Sequence, residues 1–409
     1  ERTPEPEQEP EQEPEHIEPP PHIEPPQSQA RIAEQKPPEQ KLQTQRPKDT
    51  PPAKGEFLRI GDTDSLLREP VLFKPEELTR HSAFLGGSGS GKTTLALNII
   101  EQAALMGVPA ILVDRKGDLA GYASESFWAR ELSDPRRASR RDLLRERVDV
   151  ALFTPGHPQG RPLSIPIVPD GLAALPDFDR QQATRHAAEA LAGMLDYRTS
   201  PKDKSCRTLL AQAIDQFVQL TPTTVTLEGL VKFIGDKDPL LVNAVGRLDV
   251  KLFDKLADDL DRLRLDSKVL LDSSAEKLDM DLLLGRGAHA VPGKTRLTIL
   301  STKFLGDNNN VLFWVSQLLI EVTRWLNRNP ATGLQALLMF DEADMYLPAM
   351  RQPSTKQPME NLLKRARSAG FRLTMVPPRK ATLLTRQCWQ QSWSMISSYF
   401  CAASGERHA

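Results

Sequence analysis

Gly86-Gly87-Ser88-Gly89-Ser90-Gly91-Lys92-Thr93 satisfies G-x-x-x-x-G-K-[ST] at every fixed position. The flanks give the match its meaning. Ser82-Ala83-Phe84-Leu85 reads as a short buried strand, and Thr94 to Met106 places Leu95, Ile99, Ala103 and Met106 on one helical face. Strand, glycine loop and helix therefore follow in the order that a phosphate site requires. Glycines let the backbone curl until its N–H groups converge on phosphate oxygens, and the helix N-terminus adds its positive end. On this reading Gly86, Gly87, Ser88, Gly89, Ser90, Gly91, Lys92, Thr93 and Thr94 hold the phosphates of ATP. Lys92 would contact the β and γ phosphates, and the Thr93 hydroxyl would bind Mg²⁺.

Two strands ending in carboxylates compete to complete the magnesium site. Ala110-Ile111-Leu112-Val113-Asp114 follows the loop's helix, and Ala336-Leu337-Leu338-Met339-Phe340-Asp341-Glu342 lies far downstream. Both are apolar runs of the kind found in a parallel sheet covered on both faces. Ligands of such sheets bind at the carboxyl ends of the strands, so either aspartate would face the loop. Asp341 and Glu342 are preferred, because hydrolysis needs a metal ligand and a base side by side. Asp341 would serve the metal, and Glu342 would polarise the attacking water. Asp114-Arg115-Lys116-Gly117-Asp118 mixes carboxylates with cations, which leaves a structural role for Asp114 and Asp118 open.

The net charge of −1 over 409 residues conceals two segments. Residues 1–54 carry 14 of the 34 prolines, 12 acidic and 7 basic side chains and no aromatic residue, whereas the remainder is mildly basic at +4. Such a segment cannot bury enough apolar surface to offset the entropy of ordering and is expected to be a disordered linker. Its near-repeats, including His16-Ile17-Glu18-Pro19-Pro20 and His22-Ile23-Glu24-Pro25-Pro26, fit an extended, polyproline-like spacer better than a docking motif or a histidine metal site. Cys206, Cys388 and Cys401 lack CxxC spacing, which argues for a reducing compartment, the cytoplasm, and against structural zinc. The most apolar stretch, Val311 to Leu326, is broken by Gln317, Glu321 and Arg324, so no membrane span is expected in this chain. A first residue of Glu1 leaves room for an upstream portion such as a membrane anchor.

Taken in order, Leu78-Thr79-Arg80-His81 before the loop, Val113-Asp114-Arg115-Lys116-Gly117-Asp118, Phe304-Leu305-Gly306-Asp307, Phe340-Asp341-Glu342-Ala343-Asp344 and Glu360-Asn361-Leu362-Leu363-Lys364-Arg365-Ala366-Arg367-Ser368-Ala369-Gly370 resemble the HerA/FtsK superfamily of ATPases. The resemblance runs from about Gly55 to Leu373. It implies a RecA-like α/β core that assembles as a ring, usually a hexamer, and couples ATP hydrolysis to pulling a polymer, most often double-stranded DNA, through its pore. Relatives include conjugation and secretion ATPases with other cargo. Neither an Asn-Lys-x-Asp motif nor a Leu-Ser-Gly-Gly signature is present, which argues against a small GTPase and an ABC-type ATPase.

The spacing between Thr93 and Asp341 exceeds what a minimal nucleotide-binding unit needs. The expected organisation is a first part of the core at 55–170, an all-helical insertion at 171–290 and a second part of the core at 291–376. Periodicity carries the insertion, through Ala187, Ala190, Leu191 and Met194, then Leu209, Ala213, Phe217 and Leu220, then Leu256, Leu260 and Leu263, with Thr221-Pro222-Thr223-Thr224 expected to cap a further helix. Two lobes sharing one site would result. Seven arginines between Arg130 and Arg147 face four acidic residues, a pattern that reads as a salt-bridged, solvated face rather than a nucleic-acid contact. Arg365 and Arg367 are candidates to complete a neighbouring subunit's site in a ring.

After Gly370 the chain departs from the resemblance. Relatives continue with a strand ending in Ala-Thr-Gln, whose glutamine senses the nucleotide, whereas here Phe371 to Val376 runs into Pro377-Pro378. Proline supplies no ladder donor, so a central strand must end there. Residues 377–409 form an atypical tail, for which an altered reading frame near Met375 is one explanation. An altered C-terminus raises the alternative of a nucleotide-binding remnant with impaired turnover.

Overall fold

A computed structural model describes residues 57–377, apart from 64, 68, 75–76, 79, 158–159, 221–224, 268–274 and 349–350, and then residues 398–401. The proline-rich start, Thr221 to Thr224, Cys388 and the Trp389 and Trp393 of the tail lie outside the described residues.

The hairpin β1 (Leu58–Asp62) and β2 (Pro70–Phe73) precedes the core strand β3 (Ser82–Leu85). The chain then runs through α1 (Lys92–Leu105), β4 (Ala110–Asp114), α2 (Glu125–Ala129), α3 (Pro135–Arg147), β5 (Val148–Phe153) and the two-residue β6 (Leu163–Ser164). A helical stretch follows, comprising α4 (Asp177–Met194), α5 (Pro201–Leu220), α6 (Leu227–Gly235), α7 (Pro239–Val245) and α8 (Lys251–Asp266). After β7 (Glu276–Lys277) and α9 (Met280–Leu284), the core resumes with β8 (Thr295–Ser301), α10 (Asn308–Arg328), β9 (Ala336–Asp341), α11 (Lys356–Ala366) and β10 (Phe371–Val376). A last strand, β11 (Ser398–Cys401), belongs to the tail.

Seven of these strands form one parallel sheet in the order β11-β3-β10-β9-β4-β8-β5. Alternation assigns its side chains to two cores. Ala110, Leu112, Leu337 and Met339 pack with Ala96, Ile99, Ile100, Ala103 and Ala104 of α1, while Ile111, Val113, Leu338 and Phe340 face α4, α10 and the other helices. Burial of both faces explains why these strands are uninterrupted apolar runs. The buried face of α1 is therefore centred on Ala96 and Ile100 rather than on Leu95 and Met106, which are only partly covered. Small alanines at the contact let this helix approach the sheet closely.

The inserted helices do not form a separate lobe. Leu191 of α4, Leu209 and Ile214 of α5, and Leu256 and Leu260 of α8 belong to the same cluster as the sheet residues Val113, Phe340 and Phe371. Helix α10 sits in its middle, with Trp314, Val315, Leu318 and Val322 fully buried, which accounts for the apolar run that begins at Val311. Among the described residues no helix is long and apolar enough to cross a membrane. The α4 residue Arg180, itself buried, pairs with Asp215 of α5 at 3.1 Å and ties the first two inserted helices together. Thr226 caps α6, its hydroxyl accepting from the Gly229 N–H at 3.1 Å. One short parallel pairing, β6 with β7, interrupts the otherwise helical segment at Glu276–Lys277.

Candidate functional site

The loop from Gly86 to Gly91 leaves the carboxyl end of β3 and enters α1 at Lys92. Gly89 and Gly91 hold φ of 73° and 83°, left-handed conformations that a side chain would strain. Nothing lies within 4 Å of a Cβ added at Gly87, Gly89 or Gly91, so the loop opens onto free space there. Lys92 is buried at 7% exposure and donates to the Gly87 carbonyl at 2.6 Å, closing the loop upon itself. Burial pulls its ammonium below the usual lysine range, and Asp341 opposes that shift. The Ser90 hydroxyl is buried inside the loop without a hydrogen-bond partner. A curled backbone, a buried ammonium and an orphaned hydroxyl are the chemistry of an anion cradle.

Asp341 reaches this cradle across a strand that the sequence did not place. Strand β10 lies between β3 and β9, with Thr374 opposite Ser82 and Val376 opposite Asp341. The carboxyl ends of β3 and β9 thus flank β10, and the Thr93 hydroxyl donates to Asp341 Oδ1 at 3.4 Å. Burial pushes the Asp341 carboxyl up to about 6, reinforced by the neighbouring Glu342. One hydroxyl and one carboxylate supply two hard oxygen ligands. No group of three or more His, Cys, Asp or Glu side chains is gathered for a metal among the described residues. The donor set fits Mg²⁺, which prefers one or two protein oxygens and completes its shell with phosphate and water.

Glu342 follows Asp341 in the left-handed region, at φ 55° and ψ 47°. Its Oε1 accepts from the Lys116 ammonium at 2.6 Å. Asp114, at the end of the adjacent β4, plays a different part. It is fully buried, and its two oxygens accept from the backbone N–H groups of Lys116 at 3.1 Å, Gly117 at 2.8 Å and Leu119 at 2.9 Å. Burial raises this carboxyl while the three N–H groups draw it down. Three backbone donors leave Asp114 as the clasp of a turn, the role that the mixed charges of its motif had left open. Lys116 is the residue that sequence reasoning passed over. An aspartate three positions before Gly117 is an Asx-type turn signal, and that turn is what presents the lysine.

The remaining candidates lie elsewhere. Arg365 is exposed on the last turn of α11, which leads into the amino end of β10 and so stands at the sheet edge opposite the phosphate loop. Among the described residues no bond or ion pair links Arg365 to Asp341, and the Arg367 side chain is outside the described residues. The arginines of α3 also stay away from the loop. Leu144 is the buried residue of that helix, Arg145 pairs with Glu125, and Arg141 pairs with Asp142 at 3.0 Å, while Asp134 caps the helix. Pro377 is buried just past β10, beside the end of the Asp341 strand, where the resemblance led to an expected glutamine.

The family model described as the central domain of helicase HerA matches residues 59–283, more than half of the chain, and ends before the strand that carries Asp341. VirB4 of Thermoanaerobacter pseudethanolicus has a similar structure, with a TM-score of 0.56 at 14% identity over 86% of this chain and 85% of that one. The bacterial conjugative coupling protein TrwBΔN70, in a trigonal form in complex with sulphate, gives a TM-score of 0.50 at 14% identity over 84% of this chain and 74% of that one. At these identities the two likenesses establish a shared fold. No curated protein matches the sequence.

Proposed function

The chain belongs to the HerA helicase central-domain family, and from that premise we propose that it is an Mg²⁺-dependent ATPase whose turnover drives movement along double-stranded DNA, working as a homo-oligomeric ring in the cytoplasm. The observation that carries the ATPase reading is the convergence of Lys92, Thr93 and Asp341 at one sheet edge, with Glu342 next to them. Lys92 and the loop N–H groups bind the phosphates, and Thr93 and Asp341 hold the metal, which neutralises phosphate charge when bound. Glu342 takes the proton of the attacking water. DNA as cargo and the ring rest on family membership, and Arg365 and Arg367 are proposed to act on a neighbouring subunit's site rather than their own.

A second reading, nucleotide binding with impaired turnover, is favoured by Pro377, which offers no hydrogen-bonding side chain at the end of β10. The fold shared with VirB4 and TrwB also leaves a conjugation-type cargo within the proposal. ATP hydrolysis measured with and without double-stranded DNA, beside Glu342→Gln, separates these readings. DNA-stimulated turnover that Glu342→Gln abolishes supports the motor, and tight nucleotide binding without turnover in either protein supports the second reading.

A further inference from the structure

Glu342 stands in a crowd of carboxylates. Asp341 precedes it, Asp344 follows, and Asp114 closes the adjacent strand in direct register, with Val113 opposite Phe340. Like charges this close repel, so an unsupported Glu342 would turn outward to solvent. Among the described residues its one ion-pair partner is Lys116. The bond raises the lysine's affinity for its proton, and the Asp341 charge adds to that shift.

Lys116 is itself held. Asp114 gathers the N–H groups of residues 116, 117 and 119, which fixes the turn from which the lysine side chain departs. Gly117 takes φ 86°, a left-handed conformation that a side chain would strain, so the turn depends on its glycine as well as on these bonds. These parts give little stability in return. Lys116 is about half exposed, and ion pairs of that kind contribute about 1 kcal/mol or less. A left-handed glutamate costs a comparable amount. Stability therefore does not account for the arrangement, whereas the position of one carboxylate does.

We infer that Lys116 is the positioning residue of Glu342, and that Asp114 acts through it. The end of β4 would thus aim the base carried by β9, with Lys116 occupying Oε1 so that Oε2 is directed to water. This inference rests on the ATPase reading above.

Lys116→Ala, Lys116→Arg and Glu342→Gln, compared with the wild-type chain, test it. In Lys116→Ala, kcat is expected to fall roughly 100-fold, as for a misplaced catalytic group, at an unchanged KM and nucleotide Kd. Lys116→Arg, which keeps the cation, should restore much of the rate. Independently of turnover, the carboxyl ¹³C resonance that disappears in Glu342→Gln should move in Lys116→Ala. A wild-type chain that hydrolyses ATP, with Glu342→Gln inactive and either Lys116→Ala at full rate or the Glu342 carboxyl resonance unmoved by Lys116→Ala, overturns the positioning role alone. No turnover in the wild-type chain overturns the ATPase reading and this inference together.

Discussion

The Thr93 hydroxyl donates to Asp341 Oδ1 across 3.4 Å, although 248 residues separate the two in sequence. One belongs to the first turn of α1, the other ends β9, and β10 lies between their strands. A hydroxyl and a carboxylate at this distance can share one small, hard cation without moving the backbone.

Thr93→Ala should therefore weaken nucleotide binding only when the metal is present. The expected loss is about 10-fold or more in Kd for Mg²⁺–ATP, typical of removing a metal-site oxygen, with little change in EDTA. Fluorescent-nucleotide titration under both conditions measures the difference. An equal loss with and without metal would place the hydroxyl on the phosphates instead.

Asp341→Asn should stabilise the ligand-free protein at neutral pH. The buried carboxyl is held up to about 6 against an ordinary 3.8, so the folded chain keeps a proton that the unfolded chain has released. Its contribution to stability is present in full below 3.8 and is lost as pH rises through about 6. Removing the charge should therefore add up to roughly 3 kcal/mol at pH near 7.5, a gain that shrinks on acidification and vanishes below about 3.8. Urea denaturation across that range reads it, and a variant less stable than wild type at neutral pH contradicts the burial argument.

Asp215→Ala tests how the inserted helices are joined. It leaves the buried Arg180 guanidinium with Asp177, a mostly exposed partner, and removes one of the two bonds that the Gln219 amide donates to residue 215, the one to the backbone carbonyl remaining. The expected cost is about 3 kcal/mol, at the low end for breaking a buried pair because one partner remains. Asp177→Ala should cost about 0.5 kcal/mol or less. Equal effects in chemical denaturation would show that burial does not distinguish the two bonds.

Much of this architecture was legible because its signals are local. The apolar runs at 82–85, 110–114, 296–300 and 336–341 are strands, and the glycine loop opens a helix as its pattern requires. Other features were invisible for want of any local trace. The tail beyond Pro377 shows no consistent periodicity, yet Ser398–Cys401 pairs in parallel with β3 and adds an edge strand. His81 reads as one residue of a motif, whereas it joins three elements: its Nε2 donates to the Leu363 carbonyl at 2.9 Å and its Nδ1 accepts from the Leu373 N–H at 3.1 Å. Both partners lie almost three hundred residues away.

By itself the sequence determined the anion cradle of residues 86–93 and the parallel α/β class, because a glycine's freedom, a helix terminus and an apolar run act over a few residues. The sequence also preferred Asp341 to Asp114, but only the tertiary structure decided the contact itself, the Thr93 hydroxyl 3.4 Å from Asp341 Oδ1. Strand order depends on the packing of both sheet faces and on where the crossover helices lie, and it puts β9 within reach of Thr93 while Asp114 turns inward to its own backbone. The same order sets Lys116 beside Glu342, a contact between two strand ends that no spacing along the chain encodes.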